Sequence, residues 1–164
     1  MKKILILNTG GTLNKVYNPL TGALDVPSHN GIIEEILHKS MIKNVTVEGL
    51  IFKDSLDMTQ NDRDDLVQKI KATNIDNIII VHGTDTMDQT ANYLQQHICN
   101  KTILFTGAMK PYSIEPVEAT ANLLSAYGFL MANTDPDIYI CMHGLIKPHQ
   151  KVFKNRSLGV FECH

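Results

Sequence analysis

Apolar residues in this chain follow two periods. Unbroken runs such as Ile4-Leu5-Ile6-Leu7 and Ile78-Ile79-Ile80-Val81 show no polar alternation, the pattern of strands covered on both faces. Such runs predict strands over 3–8, 45–51, 77–82, 101–105 and 137–142. Between them, apolar positions space out at helical intervals. One helix is predicted over 30–39, with Ile32, Ile33, Ile36 and Leu37 on one side. A second starts near Thr59, a good N-cap, with Asp62, Asp64 and Asp65 near its positive end and Leu66, Val67 and Ile70 as its buried stripe. A third follows Asp85, where Thr86 and Gln89 fit a capping box. The fourth covers about 115–131, with Pro116 suited to a first turn.

Strand alternating with helix predicts an α/β fold. The expectation is a single-domain, doubly wound, mainly parallel three-layer sheet of Rossmann-like or flavodoxin-like type. Residues 13–27 break the pattern. Asn18-Pro19 and Thr21-Gly22 are turn signals, so this stretch is expected to form a flap or irregular hairpin over whatever binds at Thr12.

Composition narrows the function. A length of 164 residues suits one domain, and a net charge of -2 without a basic stripe argues against nucleic-acid binding. Lys151, Lys154 and Arg156 are the densest positive cluster, too few to form such a stripe. The apolar run after Lys2-Lys3 is too short for a secretion signal, and no segment approaches a membrane span. Cys99, Cys141 and Cys163 are odd in number and lack CxxC spacing, which predicts reduced structural thiols in a cytoplasmic protein. His82 reads as a packed residue rather than a base. His143 and His149 do not make a metal pair, and His164 is expected to fray.

Candidate chemistry follows from what comes after each strand. Thr12 follows the first; Ser55 and Asp57 the second; Thr84 and Asp85 the third. Thr106, Gly107 and Lys110 follow the fourth, and His143, Lys147 and Lys154 the fifth. In a parallel sheet all of these lie on one edge, where ligands bind. Gly10, Gly11 and Gly83 permit close backbone approach, and their amides are candidate oxyanion donors. The simpler readings are a connecting glycine turn, and helix capping for Thr86. Dinucleotide and phosphate binding fit poorly, because neither G-x-G-x-x-G nor Gly-Lys-Ser/Thr is present. A threonine nucleophile needs a base. Lys154 is the candidate, while the plain alternative for it is a solvated surface lysine.

The two threonine-bearing turns, Thr9-Gly10-Gly11-Thr12 and His82-Gly83-Thr84-Asp85-Thr86, resemble the signature motifs of bacterial-type L-asparaginases. Asp54-Ser55-Leu56-Asp57-Met58-Thr59 resembles that family's substrate-carboxylate loop. Thr106-Gly107-Ala108-Met109-Lys110-Pro111 resembles its fourth-strand turn, and Val152-Phe153-Lys154 falls where the family carries a lysine. The resemblance implies Thr12 as nucleophile and Thr84, Asp85 and Lys154 as a second cluster relaying protons. It implies Gly11, Ser55, Asp57, Gly83, Thr84 and Asp85 as substrate-binding residues, with Tyr17 assisting from the flap. It also implies hydrolysis of asparagine to aspartate and ammonia with glutamine as a side substrate, no metal or organic cofactor, and a homo-oligomer. Residues 1–164 resemble the family's N-terminal catalytic domain, and its C-terminal domain is expected to be absent. Other readings are a non-catalytic amino-acid-binding module and an ammonia-generating amidotransferase subunit.

Overall fold

The computed structural model describes residues 2–132 and 135–164. In chain order the elements are β1 (Ile4–Gly10), a 3-10 turn (Thr12–Asn14), β2 (Val16–Tyr17), β3 (Leu24–Asp25), α1 (Gly31–Lys39) and β4 (Val45–Lys53). A 3-10 turn (Ser55–Asp57), α2 (Gln60–Ala72), β5 (Asn77–Val81), α3 (Met87–His97), β6 (Thr102–Thr106) and α4 (Pro116–Ala132) follow. The chain closes with β7 (Asp137–Met142), β8 (Leu145–Pro148), β9 (Val152–Asn155) and β10 (Val160–Cys163).

The fold is α/β, and the five expected strands are present. They form one parallel sheet in the order β4-β1-β5-β6-β7, and β8 adds an antiparallel edge. Among the parallel strands this is the doubly wound 2-1-3-4-5 order. Its switch point, where connections leave to opposite sides and ligands bind, lies between β1 and β5. Alternate side chains of each strand go to opposite faces. Leu5, Leu7, Ile78 and Ile80 pack with α2 and α3, whereas Ile4, Ile6, Ile79 and Val81 pack with α1 and α4.

Helix boundaries follow local chemistry. Thr59 and Asp62 complete a reciprocal capping box at α2, and Pro116 opens α4. Thr86 departs from expectation. It precedes α3 but makes no cap bond, and its hydroxyl donates to Ser55 O at 2.9 Å. A tertiary acceptor has displaced the local one.

The end of the chain also departs from expectation, because three short strands follow β7. In β8, Lys147 pairs with Ile140, so it runs back down the sheet and away from the ligand edge. β9 then returns as a hairpin with β10, placing Lys154 opposite Phe161. His164 is held rather than frayed: its amide donates to Lys151 O at 3.1 Å, and its ring stacks on Phe153. Cys141 is buried, and burial pushes its thiol up to about 12. Cys99 and Cys163 are exposed, so they are not structural thiols. Among the described residues no helix is long and apolar enough to cross a membrane.

Candidate active site

The turns after β1, β4 and β5 interlock at the switch point. Gly10 and Gly11 have φ of 100° and 79°, a region that side chains rarely enter. Space excludes a side chain as well. A Cβ on Gly11 would lie 2.5 Å from Gly83 N, and one on Gly83 would lie 2.6 Å from Ser55 Cβ. The glycines thus let the three turns stack backbone on backbone. Thr9 Oγ1 donates to Val81 O at 2.8 Å, and the Asp85 amide donates to Ser55 Oγ at 3.2 Å.

Lys154 reaches this edge from β9. Its ammonium donates to Thr84 Oγ1 and to Asp85 Oδ1, both at 2.8 Å. The hydrogen bond from Lys154, supported by Arg156, holds the Asp85 carboxyl below its usual range. Arg156 donates to Asp85 Oδ1 at 2.7 Å and to Asp85 O at 2.8 Å. In the sequence Arg156 is visible only as part of a weak basic cluster. Its place on the β9–β10 turn depends on a hairpin that no hydrophobic run announces.

The threonine hydroxyls of the site separate into two kinds. Those of Thr9, Thr84, Thr86 and Thr106 are engaged by Val81 O, Lys154 Nζ, Ser55 O and Cys141 O. The Thr12 hydroxyl, on a partly exposed residue, makes no hydrogen bond to any described residue.

The other expected site residues are more dispersed. Thr84, Asp85 and Lys154 line a cavity of about 130 Å³ with Val152, Phe153 and Arg156, and Thr12 is not in its wall. Asp57 is exposed and borders a different, open cleft of about 680 Å³ that Lys15, Asp54 and Leu56 also line. Ser55 is 1% exposed, with its hydroxyl accepting from the Asp85 amide. Tyr17 stands 64% exposed on the β2–β3 hairpin, within the stretch expected to form a flap or irregular hairpin. The Gly10 amide donates to Asn8 Oδ1 and the Gly11 amide to Lys53 O. Neither is therefore an oxyanion donor.

The histidines are structural. His82 is 1% exposed. Its Nδ1–H donates to Gly83 O at 2.7 Å, so Nε2 accepts from Thr90 Oγ1 at 2.9 Å. Desolvation lowers its pKa to about 4, which keeps the ring neutral and unsuited to proton uptake at neutral pH. His143 Nδ1 accepts from the Phe161 amide while Nε2 meets Glu118 at 2.8 Å. His149 bonds Gln95 at 2.6 Å.

The chain matches the family described as Asparaginase, N-terminal, over residues 3–161. It belongs to the asparaginase family. Among relatives, it is 31% identical over 137 residues to the "Probable L-asparaginase periplasmic" of Haemophilus influenzae, an alignment covering 77% of this chain and 38% of that protein. It is 27% identical over 152 residues to a glutamyl-tRNA(Gln) amidotransferase subunit of Methanococcus maripaludis, covering 88% of this chain and 35% of that one. The solved thermostable L-asparaginase from Thermococcus kodakarensis superposes with a TM-score of 0.83 at 27% identity, over 98% of this chain and 51% of that one. This asparaginase-family chain thus spans about half of the solved relative and less of the curated ones.

Proposed function

We propose that this chain is an amidohydrolase that converts L-asparagine to L-aspartate and ammonia, with Thr12 as nucleophile. The observation that carries the reading is the Lys154 ammonium bridging Thr84 Oγ1 and Asp85 Oδ1 on the turn after β5, while the Thr12 hydroxyl on the turn after β1 makes no hydrogen bond to any described residue. Thr12 Oγ attacks the side-chain amide carbon and gives up its proton. That proton reaches the leaving nitrogen through Thr84 and Lys154, and ammonia departs. Water then cleaves the resulting acyl-threonine, restoring the hydroxyl and releasing aspartate.

In this reading the Gly83 amide serves the developing oxyanion, since the Gly10 and Gly11 amides are engaged elsewhere. Asp57 and Asp85 hold the substrate's α-amine. Ser55 meets the α-carboxylate by exchanging its bond with the Asp85 amide for one to substrate. The hairpin folds inward to bring Tyr17 over Thr12. Glutamine, one methylene longer, is a weaker substrate. We place the protein in the cytoplasm as a homo-oligomer. Three free cysteines support the first. Membership of the asparaginase family supports the second.

The test is ammonia release from asparagine by the wild type and by Thr12→Ala. The variant is expected to lose roughly three orders of magnitude or more in kcat. Undiminished release by Thr12→Ala would overturn the assignment, and binding without release by the wild type would favour an amino-acid-binding module. A second reading, an ammonia-donating amidotransferase subunit, gains support from the longer alignment to the Methanococcus protein, 88% of this chain against 77%. It predicts higher kcat/KM on glutamine than on asparagine.

A further inference from the structure

Behind the Thr12 turn lies a group of carboxamides that the catalytic reading leaves unused. Asn8 on β1 and Asn14 at the end of the following 3-10 turn are both 0% exposed. They bond reciprocally: Asn8 Nδ2 donates to Asn14 Oδ1 at 3.2 Å, and Asn14 Nδ2 donates to Asn8 Oδ1 at 3.0 Å. Asn8 Oδ1 also accepts from the Gly10 amide at 3.0 Å, and Asn14 Nδ2 also donates to Gly10 O at 2.7 Å. A carboxamide offers two donor hydrogens and two acceptor lone pairs. Asn8 uses all of them, the remaining hydrogen going to Asn30 Oδ1 at 3.1 Å. Asn30 occupies the N-cap position of α1, where such a side chain ordinarily caps its own helix. Here it makes no cap bond. A local stabilising interaction has been given up in favour of this cluster.

We infer that Asn8 and Asn14 are positioning residues, a neutral amide clamp that fixes the Thr12 hydroxyl for attack. The inference rests on Thr12 being the nucleophile. Two consecutive positive-φ glycines precede Thr12, and glycine imposes little conformational restraint of its own. The bonds from Asn14 N to Gly11 O and from Lys15 N to Thr12 O, both 3.1 Å, close the far side of the turn. The amide pair closes the near side by joining residues 8, 10 and 14 across the segment that carries Thr12. Buried amides are tolerated only when paired, so partial opening of the clamp is disfavoured and the turn keeps one geometry. Neither side chain ionises, so the clamp is insensitive to pH.

The test compares Asn8→Ala, Asn14→Ala and the double variant in the full chain. The readouts are kcat and KM for ammonia release, thermal midpoint, and amide hydrogen exchange at Gly10. Each single variant is expected to lower kcat roughly tenfold to a hundredfold through misplacement of Thr12, with KM within about twofold of wild type. Compared with Asn8→Ala, the double variant removes the Asn14 carboxamide that the single change orphans, so its midpoint recovers part of that loss while its kcat does not. A kcat that follows the thermal midpoint across all three variants would reduce the pair to ordinary stability and overturn the inference. So would an unchanged kcat. If the wild type releases no ammonia, the catalytic reading fails on its own, and exchange still decides the clamp: wild-type protection of Gly10 in a folded Asn8→Ala protein would refute it. Should Asn8→Ala not fold, Asn14→Ser, which keeps a hydroxyl donor for Gly10 O, is expected to regain part of the kcat lost in Asn14→Ala. Equal kcat in the two would also overturn the clamp.

Discussion

The two turns that meet at the switch point hold their threonines by opposite means. The Thr12 turn is backed by uncharged carboxamides, Asn8 and Asn14, and its hydroxyl is uncommitted. The Thr84 turn is held by charge: Asp85 faces both Lys154 and Arg156, and the Thr84 hydroxyl accepts from the Lys154 ammonium. A nucleophile needs fixed position, which neutral, fully paired amides supply at any pH. A proton-relaying hydroxyl needs a partner that gains and loses protons, which a charged mount supplies. Under the proposed mechanism, the contrast accounts for giving two similar threonine-bearing turns in one sheet different parts.

The largest effect should come from removing the charged mount. Lys154→Met is expected to lower ammonia release by roughly three orders of magnitude or more. Arg156 still pairs Asp85 in that variant, so the fold should survive, as circular dichroism would verify. Near-normal turnover would erase the contrast between the turns.

Acid should distinguish them next. His82 opens the charged turn, and its folded pKa of about 4 lies below the ordinary 6.5. Between those values the unfolded chain binds more protons, so stability is complete above the ordinary value and falls as pH drops toward the folded one. The loss expected from this ring is on the order of 3 kcal/mol by pH 4. Asp85, whose pKa is depressed, contributes stability above the ordinary carboxylate range and loses it only as pH falls through its lowered value. Urea melts across this range should therefore weaken first where His82 titrates, and His82→Gln should flatten that limb. An identical acid limb in the variant would remove His82 from the account.

Contact between the turns is sharpened by Gly11→Ala. The positive φ and the 2.5 Å approach to Gly83 N predict a loss of roughly 2 kcal/mol or more in urea unfolding. The smallest effect belongs to Arg156→Ala. Its side chain is 61% exposed, so kcat/KM should change by less than about threefold. Whatever effect appears should shrink as salt is raised.

Much of this is legible in the sequence, and the omissions have physical causes. Buried parallel strands announce themselves as unbroken apolar runs, so the bounds of β5 and β6 are readable to within one residue and those of β1 to within two. β8, β9 and β10 are not, because β8 is a short antiparallel edge, β9 and β10 form a separate two-stranded hairpin, and all three carry mixed side chains. That is also why Lys154 sits in the shortest of the matching motifs, although the structure joins it to Thr84. Thr86 looks like a cap because local rules see only neighbours along the chain, and its acceptor, Ser55 O, lies 31 residues away. Asn8 and Asn14 pass as ordinary turn residues. Only closure of the β1 turn brings their amides face to face.

Covalent mapping tests the central claim most directly. Turnover of asparagine by the wild type, stopped with acid and digested, should yield one peptide heavier by an aspartyl group, with the ester on Thr12. An adduct on Thr84, or on any residue other than Thr12, would contradict the account.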